Sequence, residues 1–279
     1  MTDDRSIIGL ASWLATPPGR YLLAWEQAQL DAHVADVFGF HALQLGLPEL
    51  DALRANRMPH RWLGVQSVGC AEPQHEALGA DDAAAVPAAR VALRCDYDAL
   101  PFPSASLDLV VLPHALELAR DAHQTLREVE RVLVPEGRVV IVGFNPASLW
   151  GLRQRLGRMR RGIGVAARRP LFLPRDDLIG YWRLRDWLRL LSFDIERGRF
   201  GCYRPPLASE RWLARFDWLE ATGDRWWPVF GAVYFLQAVK RVRGMRLVGL
   251  ARRERAKNHA APAVAAHRDG KLNRDEETR

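Results

Sequence analysis

LDLVVL (Leu107–Leu112) and RVVIV (Arg138–Val142) are two nearly unbroken apolar runs, with LREVERVL (Leu126–Leu133) between them. A strand that alternates apolar and polar residues keeps one face wet. A strand apolar throughout is buried on both faces, as in a parallel sheet covered by helices. Between the runs, Asp121–Leu133 reads as an amphipathic helix with Leu126, Val129, Val132 and Leu133 on one side. Pro135-Glu136-Gly137 then turns the chain into the second run. Strand, helix, turn and strand make the repeating unit of an α/β fold.

The pattern extends in both directions. Upstream, His41–Leu45, Arg61–Gln66 and Arg90–Cys95 read as strands, and Pro48–Asn56 as a short helix opened by proline with Glu49 and Asp51 at its positive end. Residues 71–90 are Ala-rich and could hold a weak helix. In the N-terminal third, Trp13, Tyr21, Leu22, Trp25, Ala28 and Leu30 recur at helical spacing, interrupted by Pro17-Pro18-Gly19. Downstream, Asp176–Leu191 reads as a helix, Phe193–Phe200 as a strand, Trp212–Leu219 as a short aromatic helix and Ala232–Val239 as a last strand. Trp212, Trp218, Trp226, Trp227 and Tyr234 read as packing around the last hairpin.

Two segments break the rhythm. Residues 147–175 carry seven arginines between 153 and 169 and no acid, and read as an insertion or lid. From Ala251 the chain is charge-rich without periodicity, a pattern of disorder. The expected organisation is a helical cap over 1–37, an α/β domain over 38–250 with the Arg-rich insertion at 147–175, and a disordered basic tail over 251–279.

Composition narrows the function. Cys70, Cys95 and Cys202 are far apart and odd in number, which supports neither a disulfide framework nor a zinc site. No apolar run is long enough to span a membrane and the acidic start is not a signal peptide, so a cytoplasmic location is expected. The net charge of +7 raises nucleic acid as a partner. However, only 3 of the 40 basic residues are lysine, and the last 29 residues hold +3 of the charge, 8 basic against 5 acidic. Contact with nucleic acid or another anionic surface therefore stays one alternative among several for the arginine run.

RCDYDALPFPSASLDLVVLPHALEL (94–118) and LREVERVLVPEGRVVIVGFNP (126–146) together resemble the central half of class I S-adenosylmethionine-dependent methyltransferases, more narrowly the methyltransferase type 11 group. The resemblance is close over 91–146 and looser from about 38 to 243. It implies a Rossmann-like, doubly wound sheet of seven strands with a reversed last strand. It also implies that S-adenosylmethionine lies across the C-terminal ends of the first strands.

Under that resemblance, LQLGLPEL (Leu43–Leu50) occupies the cofactor loop. Gly46 fills the first glycine position and Leu47 follows it, but Pro48 and Leu50 stand where further glycines are usual, which marks the loop as degenerate. Gln66 stands where an acid usually takes both ribose hydroxyls. It can donate and accept hydrogen bonds without the charge that strengthens them. Asp96 matches the acid that contacts the adenine amino group, with Tyr97 beside it to cover the ring. Pro113 and His114 follow the fourth strand, where donor and acceptor should meet, and His114 is the candidate general base. Asn145 and Tyr203 are candidates for the acceptor pocket, and Asp108 reads as a strand starter. The expected function is methyl transfer to an unidentified acceptor, a small molecule being favoured, with no metal. The alternative is a weak or inactive methyltransferase-fold module that binds partners, anionic ones included, through its arginines.

Overall fold

The computed structural model describes residue 10 and residues 12–66, 92–162, 178–207 and 209–242. The Ala-rich segment 71–90, Cys70, the second half of the Arg-rich segment and the tail 251–279 lie outside the described residues. Seven strands form one sheet: β1 (His41–Leu45), β2 (His60–Gln66), β3 (Leu93–Cys95), β4 (Leu107–Pro113), β5 (Leu133–Phe144), β6 (Phe193–Gly201) and β7 (Val233–Lys240). Their order is β3-β2-β1-β4-β5-β7-β6. The first five are parallel, and β7 runs antiparallel between β5 and β6. This is the doubly wound sheet with a reversed last strand that the resemblance implied.

The unbroken apolar runs arise because both faces of the sheet are covered. Leu109, Val111, Val140 and Val142 share one core with Leu22, Leu30 and Val34 of helix α1 (Pro17–Val34). Val110, Leu112, Val139 and Ile141 point the other way. They pack with Leu126, Val129 and Val132 of α3 (Ala122–Val132) and with Leu184 and Leu188 of α5 (Tyr181–Leu190). A single-turn helix, α2 (Ala115–Leu118), follows β4, and a 14-residue helix, α4 (Leu149–Gly162), follows β5. Helices α6 (Glu210–Arg215) and α7 (Trp218–Trp226) and a 3-10 turn (Pro228–Phe230) lie between β6 and β7. Helix α3 is capped as its sequence dictates, the Asp121 carboxylate accepting from the backbone of His123 and Gln124 at 2.8 and 3.1 Å.

Several expectations need correction. Pro17-Pro18 opens α1 instead of interrupting it, since proline fits the first turn, where its missing N–H costs nothing. Helix α1 packs into the core on one face of the sheet, where Leu22, Leu30 and Val34 are buried. Pro48–Asn56 is not a helix but a series of turns. Pro135-Glu136-Gly137 does not separate helix from strand. It lies within β5 as an irregularity, with Glu136 at φ 65° and a register jump against β4. The helix expected over Trp212–Leu219 is two helices, α6 and α7. The Arg-rich segment begins as α4, whose Trp150 is a core residue, so its first turns are not a bare lid. Of the aromatic group, Tyr234 is buried, but Trp218, Trp226 and Trp227 are exposed.

Candidate active site

Ligands of doubly wound sheets sit beyond the C-terminal strand ends, where strand order reverses. Here that point lies between β1 and β4. β1 ends in Gly46 at φ +87°, a conformation that L side chains rarely adopt. A Cβ on Gly46 would come within 3.0 Å of the Pro113 carbonyl oxygen and 3.2 Å of the Ala115 Cβ. The missing side chain thus lets the β1 turn press against the end of β4. Leu47 follows at φ 23°, buried.

Buried Gln44 shapes the loop beyond. Its amide nitrogen donates to the carbonyls of Leu47 (3.1 Å) and Leu50 (2.7 Å), and its amide oxygen accepts from the Ala52 backbone (2.9 Å). One side chain thereby satisfies backbone groups that a helix over 48–56 would satisfy internally. This is why turns replace the expected helix.

His114 adopts a left-handed conformation (φ 54°, ψ 11°) just after β4. Its ring is buried between two carboxylates, Nδ1 lying 2.7 Å from Glu117 and Nε2 2.8 Å from Glu26 of α1. The second oxygen of Glu117 accepts from the Phe144 backbone at 2.5 Å, and the Phe144 ring lies 4.2 Å from the imidazole. Burial opposes a charge on His114, but Glu26 and then Glu117 outweigh it and raise its pKa to about 10. Burial also raises the Glu26 pKa, against the pull of His114. With both nitrogens engaged, His114 ties α1 to the ends of β4 and β5. No lone pair is left to take a proton from an acceptor, which corrects the general-base reading.

Gln66 and Asp96 are neighbours at the sheet edge, for Gln66 pairs with Cys95 at the ends of β2 and β3. Asp96 is exposed, and its carboxylate has no partner among the described residues. Gln66 is half-buried. Tyr97 does not cover this edge. Its ring belongs to the core and its hydroxyl hydrogen-bonds with the Gln66 backbone, while burial drives its pKa up. Pro113 is buried beneath the Gly46 turn.

Asn145 is also committed to the fold. Its amide nitrogen donates to the carbonyls of Val229 (2.7 Å) and Gly231 (2.9 Å), and its oxygen accepts from Ala147 at 3.1 Å. That leaves little for a substrate and corrects its assignment to the acceptor pocket. Tyr203 donates its hydroxyl to the Pro228 carbonyl and turns its ring to a cavity of about 530 Å³. Pro146, Ser148, Leu152, Trp227 and Phe230 also line this cavity. Asp108 accepts from the backbone of Phe40 and His41 at 2.8 and 2.9 Å and so ties the start of β1 to β4.

Glu26, Gln44 and Glu117 went unread in the sequence, yet two carried a signal. Glu26 falls on the buried stripe Leu22, Glu26, Leu30, Val34, where the period calls for an apolar residue. Gln44 interrupts the apolar run of β1. A polar residue in an apolar register is an invitation to look for its partner.

Comparison with known proteins agrees with this geometry. Residues 59–141 match the methyltransferase domain family. Over those residues the chain is similar to a methyltransferase domain, and its sheet has the class I methyltransferase fold. The chain is 28% identical over 191 residues to the uncharacterized protein YafS of Escherichia coli K12, covering 68% of each chain. Over 58 residues, 21% of this chain and 20% of the relative, it is 45% identical to the malonyl-[acyl-carrier protein] O-methyltransferase of Halorhodospira halophila. The fold matches that of a SAM-dependent methyltransferase of Thermotoga maritima with a TM-score of 0.50 at 13% identity, covering 80% of this chain and 90% of that one. The general chemistry supported for the domain is methyl transfer dependent on S-adenosylmethionine.

The residues present fit that cofactor at its adenosine end, where Asp96 offers an exposed carboxylate, unpaired among the described residues, beside Gln66. At the methionine end the space beside the Gly46 Cα is filled by Pro113 and Ala115, so the fit there is limited to the backbone of the loop.

Proposed function

We propose that this chain binds S-adenosylmethionine across the ends of β1–β3 and transfers its methyl group to a small-molecule acceptor reached from the β4–β5 side. The observation that carries the reading is the exposed Asp96 carboxylate, without a partner among the described residues, at the end of β3 in a methyltransferase-like sheet. Asp96 accepts a hydrogen bond from the adenine amino group. Gln66 takes the ribose hydroxyls with neutral bonds, at a cost of about 1–2 kcal/mol relative to a carboxylate. The backbone at Gly46 and Leu47 lies against the methionine part. Bound there, the cofactor supplies a methyl group on a sulfonium, which is its own leaving group.

The chain then contributes alignment and dryness in the main. His114, held by Glu26 and Glu117, fixes the turn after β4 and so the floor of the site. Tyr203 borders the acceptor's path. An acceptor that already carries a nucleophilic lone pair needs no proton removed by His114, which matches its buried, fully paired ring.

Titration calorimetry with S-adenosylhomocysteine tests this reading. Saturable binding that weakens at least about tenfold in Asp96→Ala supports it. No heat of binding at millimolar ligand leaves the runner-up, a methyltransferase fold kept for contacts alone. The filled space beside Gly46 is the observation that favours that second reading.

A further inference from the structure

Helix α4 is built inside out. Trp150 and Gln154 face the protein and are buried, whereas Leu149, Leu152 and Leu156 face outward, each more than half exposed. Spacings of three and four residues put these leucines on a single stripe. The stripe continues across the apolar cavity, which brings Leu149, Leu152 and Arg155 of α4 together with Leu219, Trp227 and Phe230. Trp218, Trp226, Trp227 and Phe230 are likewise more than half exposed. Leu149, Leu152, Leu219, Trp227 and Phe230, gathered round one cavity, mark an interaction surface.

We propose that this face, formed by α4, α7 and the 3-10 turn, seats on the surface of a lipid bilayer rich in anionic headgroups. Charge selects the occupant. No acid occurs between Glu136 and Asp176, and seven arginines fall between 153 and 169. The carboxylates of α6 and α7 are spoken for. Glu210 pairs with Arg20, Asp217 with Arg204, and Asp224 with Arg199 at 3.8 Å. Glu220 accepts from the backbone of Cys202 and Tyr203. On the face itself Arg155 lines the cavity, and among the described residues the carboxylates of α6 and α7 beside it are all paired.

The apolar residues distinguish lipid from nucleic acid. Leucines gain nothing against phosphates, whereas leucine with tryptophan beside arginine suits the headgroup–acyl boundary. No helix among the described residues is long and apolar enough to cross a membrane, so the contact lies in the interface plane.

The test is co-sedimentation of the full chain, without cofactor, with vesicles of phosphatidylglycerol and phosphatidylcholine and with phosphatidylcholine alone. Binding to the anionic vesicles is expected, falling as salt rises. Leu152→Asp, at a position already facing solvent, should weaken it at least about tenfold. Arg155→Gln should weaken it about fivefold. Unchanged thermal unfolding of both variants shows that the fold is intact. Three results overturn the proposal: no binding to anionic vesicles, equal binding to neutral ones, or binding indifferent to Leu152→Asp. Preference for single-stranded RNA over vesicles, or self-association abolished by Leu152→Asp, overturns it in favour of another occupant. Because no cofactor is present, failure here leaves the methyltransferase reading standing, and the converse also holds.

Discussion

Glu26 and His114 stand 88 positions apart and meet 2.8 Å from each other with no exposed side-chain surface. A buried ion pair adds little net stability over an apolar pair of the same shape, but removing one partner strands the other. Glu26→Ala is therefore expected to destabilise the protein by about 3–5 kcal/mol, read from denaturant midpoints at unchanged m-value. The same cluster predicts a dependence on pH. The folded pKa of His114 lies near 10, above the unfolded value of about 6.5. Its contribution is thus complete below about pH 6.5 and lost as pH rises through about 10. The raised pKa of Glu26 acts in the same direction. Thermal unfolding between about pH 6 and 10 should show the wild type losing more stability than His114→Asn, a variant chosen because asparagine tolerates the left-handed backbone there. Parallel losses in both proteins would remove His114 as the source.

Among elements, the connection from β1 to β2 is the most unusual. It runs from Gly46 to Pro59 without a helix, close to the shortest crossover that parallel strands allow. Gln44 replaces the helix's internal hydrogen bonds, so Gln44→Leu should cost about 2–4 kcal/mol through the orphaned groups of Leu47, Leu50 and Ala52. If the loop also meets the cofactor, this variant weakens S-adenosylhomocysteine binding beyond what its lower stability explains. Calorimetry below the unfolding range separates the two effects. Gly46→Ala tests the same turn by strain. With φ at +87° and the Pro113 oxygen within 3.0 Å of the new Cβ, it should cost more than the about 1 kcal/mol of an ordinary backbone mismatch.

At the scale of the whole molecule, the sheet was legible because apolar periodicity records burial, and burial on both faces occurs in few architectures. β4, α3 and β5 could be read from Leu107–Phe144 alone. The β1–β2 turns were not legible, because proline followed by acids favours a helix start locally and only the Gln44 side chain decides otherwise. The positions of Gln66 and Asp96 were legible because strand ends fix them, and their part in binding is what we propose. The site was not legible where a distant helix intervenes, since nothing near His114 announces Glu26. Nor could sequence show that α4 turns tryptophan inward and leucine outward, because both are apolar and the period fits either face. Helix α1 supplies Leu22, Leu30 and Val34 to the core as well as Glu26, so a chain beginning at Ala35 is expected to lose cooperative unfolding altogether.

The central claim is that the edge holding Asp96 binds S-adenosylmethionine, and thermal unfolding at rising cofactor concentration tests it most directly. The account predicts a saturable rise in the midpoint, reaching about 2.7 kcal/mol of stabilisation near one hundred times the dissociation constant. Asp96→Ala, altering only an exposed side chain, should unfold like the wild type without ligand and lose most of the rise with it. A midpoint indifferent to millimolar S-adenosylmethionine, or a rise of equal size in Asp96→Ala, would contradict it.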